Sequence, residues 1–151
     1  MKQNPQIIPL NILLAEDDND DRFFFEKALK ELSIPTHLTA VHDGEQLIDY
    51  LTKNSKQLPD IVFLDLSMPR KNGFECLTEI KENKIFKDIP VIVFSTSYTR
   101  DMNYEKNMIE MLFKFGAQDY IRKPDNFEKL KQVIQQSLSR VIGKGKIIPA
   151  A

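Results

Sequence analysis

Asp60-Ile61-Val62-Phe63-Leu64-Asp65-Leu66-Ser67-Met68-Pro69-Arg70-Lys71-Asn72-Gly73 is the stretch on which the fold turns. Ile61 to Leu64 form an unbroken apolar, largely β-favouring run, which reads as a strand buried on both faces, as in a parallel sheet. The run ends abruptly at a carboxylate, Asp65, and a loop carrying Pro69 and Gly73 follows. Ligand sites of open parallel sheets lie just outside the carboxyl ends of the strands, so Asp65 stands where chemistry is expected. On this stretch alone it suits a helix cap or an ordinary loop acid equally well.

The flanking sequence repeats the pattern. Upstream, Asn11 to Ala15 reads as a first buried strand running straight into Glu16-Asp17-Asp18-Asn19-Asp20-Asp21. Asn19 or Asp20 can cap the helix that follows, whose Phe25, Ala28, Leu29 and Leu32 fall on one face. Leu38 to Val41 is a short second strand, and His42-Asp43-Gly44 turns into a helix bearing Leu47, Ile48 and Leu51. Downstream of Gly73 a helix carries Phe74, Leu77 and Ile80, and Val91 to Phe94 form a fourth buried strand ending at Ser95-Thr96-Ser97. A fourth helix faces Met108, Met111, Leu112 and Phe115 inward, with Gly116 as its C-cap. Gln118 to Arg122 is a fifth strand near an edge, Lys123-Pro124 follows, and a last helix over about 126–142 buries Phe127, Leu130, Val133, Ile134, Leu138 and Val141. Strands alternating with helices throughout mean a parallel sheet covered on both faces.

At 151 residues the chain suits one domain with a single sizeable core, and 42% hydrophobic against 28% charged residues is ordinary globular composition. A net charge of −1 supplies no global field for nucleic acid or an anionic membrane. No apolar run reaches membrane-spanning length and no secretory leader precedes the first strand, so the expected address is cytoplasmic. The single cysteine, Cys76, falls among apolar helical residues and reads as core filler. His37 and His42 lack clustered ligand partners and read as surface residues.

This order gathers polar groups at strand C-terminal ends: Glu16-Asp17-Asp18 after the first strand, Asp65 after the third, Ser95 after the fourth, Lys123 after the fifth. Carboxylates converging in one pocket raise one another's pKa and call for a compensating cation. Oxygen ligands without His or Cys suit a hard ion, with Mg²⁺ the usual choice beside phosphate. Lys123 adds a point charge that suits phosphate, and the Ser95 hydroxyl can donate to a phosphoryl oxygen. A carboxylate beside Mg²⁺ and Lys is the arrangement an aspartyl-phosphate nucleophile needs. Taken singly, Ser95 reads as a helix-cap hydroxyl and Lys123 as a solvated strand-end charge, while Tyr120 suits plain strand packing as well as switching.

Together, Ile12 to Asp18 with its acidic pair, Leu64-Asp65-Leu66-Ser67-Met68-Pro69 with Gly73, Ser95 after a buried strand, and Lys123-Pro124 after Tyr120 resemble the CheY-like receiver domain of bacterial response regulators. The resemblance runs from about Asn11 to Ile142. It implies a flavodoxin-like, doubly wound (βα)5 three-layer sandwich with strand order 2-1-3-4-5. It divides the chain into a lead-in (1–10), a receiver domain (11–142) and a C-terminal tail (143–151). It implies that Asp65 accepts a phosphoryl group from a sensor histidine kinase or phosphotransfer protein. Asp17 would ligate Mg²⁺ directly, Glu16 through water, and the Ser67 backbone carbonyl would complete the protein ligands. Ser95 and Tyr120 would be switch residues, Lys123 the phosphate-binding lysine, and Lys123–Pro124 a cis peptide. Ser67 and Ser97 occupy positions that tune phosphoryl lifetime in the family.

The resemblance further implies a single-domain regulator in a two-component phosphorelay, catalysing only its own phosphorylation and dephosphorylation. Its output would be contact with a downstream protein, with homodimerisation through the face of the fourth helix, fifth strand and fifth helix as family habit. The Pro69-Arg70-Lys71-x-Gly73 loop is similar to the small regulators that partner phytochrome-type kinases. The segment between Ser95 and Gly116 is longer than most receivers have, which lengthens the Tyr98–Asn103 loop or the fourth helix. Other classes fit less well. Asp17, Asn19 and Asp21 match a calcium loop, but Arg22 and Ala28 replace its Gly and Glu. A dehalogenase-type phosphatase would want an acid where Ser67 stands, and the acidic first loop is no flavin-phosphate cradle. Gly143-Lys144-Gly145-Lys146 follows a helix and is no P-loop. The remaining alternative is a degenerate receiver fold that binds partners without phosphorylation.

Overall fold

The apolar run Ile61–Leu64 is a strand, fully buried along its length, at the centre of the sheet. A computed structural model describes residues 8–96 and 102–143, so the lead-in 1–7, Ser97, the first part of the Tyr98–Asn103 segment and the tail beyond Gly143 lie outside the described residues. In chain order the elements are β1 (Leu10–Ala15), α1 (Asn19–Glu31), β2 (Thr36–Val41), α2 (Gly44–Lys53), β3 (Ile61–Leu64), α3 (Gly73–Glu82), β4 (Val91–Ser95), α4 (Met102–Lys114), β5 (Asp119–Arg122) and α5 (Phe127–Gly143). The strands form one parallel sheet in the order β2-β1-β3-β4-β5, the flavodoxin-like order. Ala15 pairs with both Val41 and Leu64, so the tips of three strands end level with one another.

Alternate residues of each strand feed opposite faces, which divides the interior into two clusters. Leu13, Ala15, Val62, Leu64, Val91 and Val93 pack with α2, α3 and α4, whereas Ile12, Leu14, Ile61, Phe63, Ile92 and Phe94 pack with α1 and α5. Cys76 is buried in the first cluster, where desolvation pushes its thiol up to about 12, so it is filler and no nucleophile. His37 and His42 are exposed.

Local sequence sets where each helix starts and stops. Asp18, in extended conformation, caps α1 by accepting from the Asp21 amide, while Asn19 and Asp20 already lie inside the helix, which corrects the expected cap. Asn72 and Glu75 form a reciprocal capping box on α3. Gly116, at φ 107°, ends α4: its amide donates to Phe113 O and that of Ala117 to Leu112 O, the Schellman pattern.

Two other expectations fail. Met111 and Phe115 do not face inward; they are 48% and 40% exposed. α4 lies over β5 at the sheet edge, where only the narrow Met108–Leu112 stripe has a surface to cover. Lys123–Pro124 is not cis, since the described residues contain no cis peptide; trans is the lower-energy form for such a bond, and in it the Lys123 amide continues the ladder to Ser95 O at 2.9 Å. No helix among the described residues is long and apolar enough to cross a membrane.

Candidate metal and phosphate site

The residues just past the strand tips remain tied to the sheet. The Glu16 amide donates to Val41 O, that of Asp65 to Ala15 O and that of Lys123 to Ser95 O, at 3.0, 3.0 and 2.9 Å. Each polar side chain is therefore placed by a β-ladder and not by a free loop, and all are delivered to one edge. There they line a cleft of about 560 Å³ whose walls include Glu16, Asp17, Asp21, Asp65, Ser67, Thr96 and Lys123.

Carboxylate oxygens of Glu16, Asp17 and Asp65 lie within 4.8 Å of one another. Glu16 and Asp65 are buried while Asp17 is open to solvent, so the trio faces outward on one side. Asp65 accepts from the Ser67 amide at 3.3 Å, and its other oxygen stands 3.7 Å from Lys123 Nζ. Lys123 also pairs with Glu16, and with Asp21 at 2.9 Å, and its ammonium sits 5.4 Å from the centre of the Phe94 ring. Burial works to lower the Lys123 pKa, but the Glu16, Asp21 and Asp65 carboxylates outweigh it and hold the ammonium charged.

Glu16 carries the strain of this arrangement. Desolvation, reinforced by the neighbouring Asp65 carboxyl and only partly offset by Lys123, pushes its pKa up to about 9. Its Oε2 is buried with no hydrogen-bond partner among the described residues. A buried orphan oxygen costs about 1–3 kcal/mol, so the site is incomplete as the protein alone presents it. A divalent cation fits: the donors are all oxygen, two of the three acids are buried, and the ion with its bound water would satisfy Oε2 while relieving the repulsion.

Ser95 is buried at the tip of β4, its hydroxyl only weakly placed by Thr96 O at 3.4 Å. It does not line the acidic cleft, which Thr96 borders instead; Ser95 borders an adjoining cavity of about 460 Å³ between the β3–α3 loop and α4. Tyr120 packs half-buried against the α2–α3–α4 core, its hydroxyl buried without a hydrogen-bond partner among the described residues. Burial, with Glu105 adding to it, raises its pKa. The structure therefore gathers Glu16, Asp17, Asp65, Ser67 and Lys123 in one cleft and leaves Ser95 and Tyr120 behind it. The sequence reading missed Asp21 as a partner of Lys123. Its signal was the acid run itself, which carries on from the strand-end pair Glu16-Asp17 into the first turn of α1.

Residues 12–135 match the family profile described as the response regulator receiver domain. Over 131 residues the chain is 30% identical to the response regulator Rcp1 of Synechocystis, covering 84% of this chain and 85% of Rcp1. The crystal structure of the phosphorylated cyanobacterial phytochrome response regulator RcpA superimposes with a TM-score of 0.79 at 28% identity, covering 95% of this chain and 100% of that one. The Mn²⁺-bound form of Rcp1 gives 0.73 at 30% identity over 87% and 93%. A match of that extent, on this sheet and over most of the relatives' own length, makes the chain a member of the response regulator receiver family.

Proposed function

We propose that the chain is a phosphoacceptor in a two-component phosphorelay, with Asp65 taking the phosphoryl group from a histidine kinase or phosphotransfer protein. The observation that carries this is the convergence of Glu16, Asp17 and Asp65 within 4.8 Å, with Lys123 against two of them. Asp65 presents a carboxylate oxygen to the incoming phosphorus, the leaving group departs from the opposite side, and an acyl phosphate results. Asp17 and Asp65 would hold Mg²⁺ directly, Glu16 through water, and the Ser67 carbonyl would complete the protein ligands. The ion would supply charge neutralisation for the phosphoryl oxygens. Lys123, 3.7 Å from Asp65, would take one phosphoryl oxygen as its own.

In this reading the Ser95 hydroxyl swings towards the phosphoryl group. Tyr120 then follows, and the α4–β5–α5 face is repacked for a downstream protein or a second copy of the chain. The weak hold on the Ser95 hydroxyl, the cavity beside it and a Tyr120 hydroxyl without a partner among the described residues support a movable pair. The likeness to Rcp1 and RcpA supports a phytochrome-type kinase as donor, a cytoplasmic setting and no catalytic activity beyond the chain's own phosphorylation and dephosphorylation.

The test is intact mass after incubation with acetyl phosphate, with and without Mg²⁺, on the wild type and Asp65→Asn. One phosphoryl adduct requiring both Mg²⁺ and Asp65 is expected. A folded wild type that takes no adduct and binds no Mg²⁺ would replace the phosphorelay with phosphate-independent binding.

A further inference from the structure

We infer that Asp43 and Arg70, neither of which reaches the acidic cleft, form a latch between α2 and the β3–α3 loop that positions the Ser67 carbonyl for the divalent cation. Asp43 is the last residue before α2, and its side chain is only 3% exposed. One carboxylate oxygen accepts from the Gln46 amide at 2.9 Å as the cap of α2. The cap needs only that oxygen; the other is committed to Arg70 Nη1 at 2.7 Å, across 27 positions of chain. Backbone and guanidinium together hold the Asp43 carboxyl below its usual range, so the pair is charged at neutral pH.

Arg70 is an unusual place to anchor a loop. Its φ is 68°, and it is the only residue other than glycine with positive φ among those described. The Lys71 amide donates to Pro69 O at 2.8 Å, so Arg70 is the centre of a three-residue turn of the strained, positive-φ kind. Such a conformation persists only where the surroundings over-determine it. Here they do so three times. Arg70 is tied to Asp43, the Lys71 side chain is paired with Glu79 on α3, and the Lys71 carbonyl lies so close to Gly44 that a Cβ there would overlap it.

The strained turn sits three residues after Ser67 within a short span pinned at both ends. The Ser67 amide donates to Asp65 and the Gly73 amide to Leu66 O. A span held at its ends and its apex has little freedom left for the Ser67 carbonyl. The side chain of Arg70 is itself 63% exposed, so the ion pair adds little to global stability and its effect falls on loop geometry.

This inference rests on the cation-site reading above, and the experiment separates the two. Mn²⁺ alone is titrated calorimetrically into the wild type, Asp43→Asn, Arg70→Gly, Arg70→Lys and the Asp43→Asn/Arg70→Gly double variant, with urea midpoints measured on each. Asp43→Asn preserves the cap, because Asn caps as well as Asp, and Arg70→Gly tolerates the positive φ. Each should weaken Mn²⁺ binding about ten-fold, the low end for outer-shell partners, with midpoints near wild type. Arg70→Lys should recover most of the loss, and the double variant should bind no more weakly than the weaker single one. Wild-type affinity in both single variants overturns the latch while leaving the cation site intact. Weakened affinity that tracks an equal loss of stability makes the pair a mere brace and also overturns it. A wild type that binds no Mn²⁺ overturns the site reading and the positioning role together.

Discussion

The middles and the tips of the same strands are opposite environments. In the middles, Leu14, Phe63 and Ile92 are buried against apolar neighbours, and burial is what stabilises them. Two residues beyond Leu14 and Phe63, Glu16 and Asp65 are buried almost as completely, and there burial works against the protein. It leaves an oxygen without a partner among the described residues, crowds carboxyl groups and pushes the Glu16 pKa up to about 9. One backbone ladder runs through both regions, so the rigid apolar part is what holds the strained polar part in place. Truncating an apolar side chain in the middles and neutralising a carboxylate at the tips should therefore have opposite signs a few ångströms apart.

The largest effect belongs to the middles. Phe25 meets Phe63 and Phe94 edge-on, with ring centroids 4.9 and 5.7 Å away. Phe25→Ala is expected to cost about 3–5 kcal/mol in urea unfolding, because the rigid sheet cannot collapse into the space left. At the tips, Asp65→Asn should instead stabilise the cation-free protein by about 1 kcal/mol, the usual gain when a strained functional site is relaxed. A destabilised Asp65→Asn variant would mean that the ion pair with Lys123 outweighs the crowding, and the contrast would break.

Acidity tests the same contrast without mutation. The folded Glu16 carboxyl holds its proton from its ordinary 4.5 up to about 9, a range in which the unfolded chain has released it. The folded state thus binds more protons there, and raising pH pulls towards unfolding. The contribution is complete below 4.5 and is lost by about 9. Lys123 adds no slope in that window, since its pKa lies above the ordinary 10.5. In chelator, urea midpoints should fall steadily between about pH 5 and pH 8.5, and Glu16→Gln should flatten the line. Mg²⁺ should stabilise most at the alkaline end, where it no longer competes with the proton. A flat profile in the wild type would show Glu16 ionised throughout by Lys123.

These two regions were not equally legible in the sequence. The middles were read from runs such as Ile61–Leu64 and Val91–Phe94, because a strand covered on both faces is apolar at every position. The tips were read as positions, since Glu16, Asp65 and Ser95 each stand where an apolar run stops and Lys123 follows the weaker fifth strand. What could not be read was which groups touch. Asp21 reaching Lys123, or Arg70 reaching Asp43 across 27 positions, depends on how strand tips fan out and on one residue with positive φ. α4 was misread for a related reason: its periodicity shows an apolar face, but only the sheet edge decides how much of that face is covered. Met111 and Phe115 satisfy the pattern and still look outward.

The smallest expected effect lies between the two regions, at Tyr120. Its ring packs on the apolar core, while its hydroxyl is buried with no partner among the described residues. Tyr120→Phe keeps the ring and deletes a group that gains nothing where it is, so stability should change by no more than about 0.5 kcal/mol and should not fall. A clear loss in urea unfolding would show that the hydroxyl is paired in solution and that Tyr120 belongs to the rigid part of the sheet. Unchanged or raised stability leaves the hydroxyl unused in the resting protein, which a residue retained for a second arrangement of the β4–α4–β5 region would be. The same variant then becomes the sharper probe, since altered partner binding at unaltered stability would separate a role in switching from one in packing.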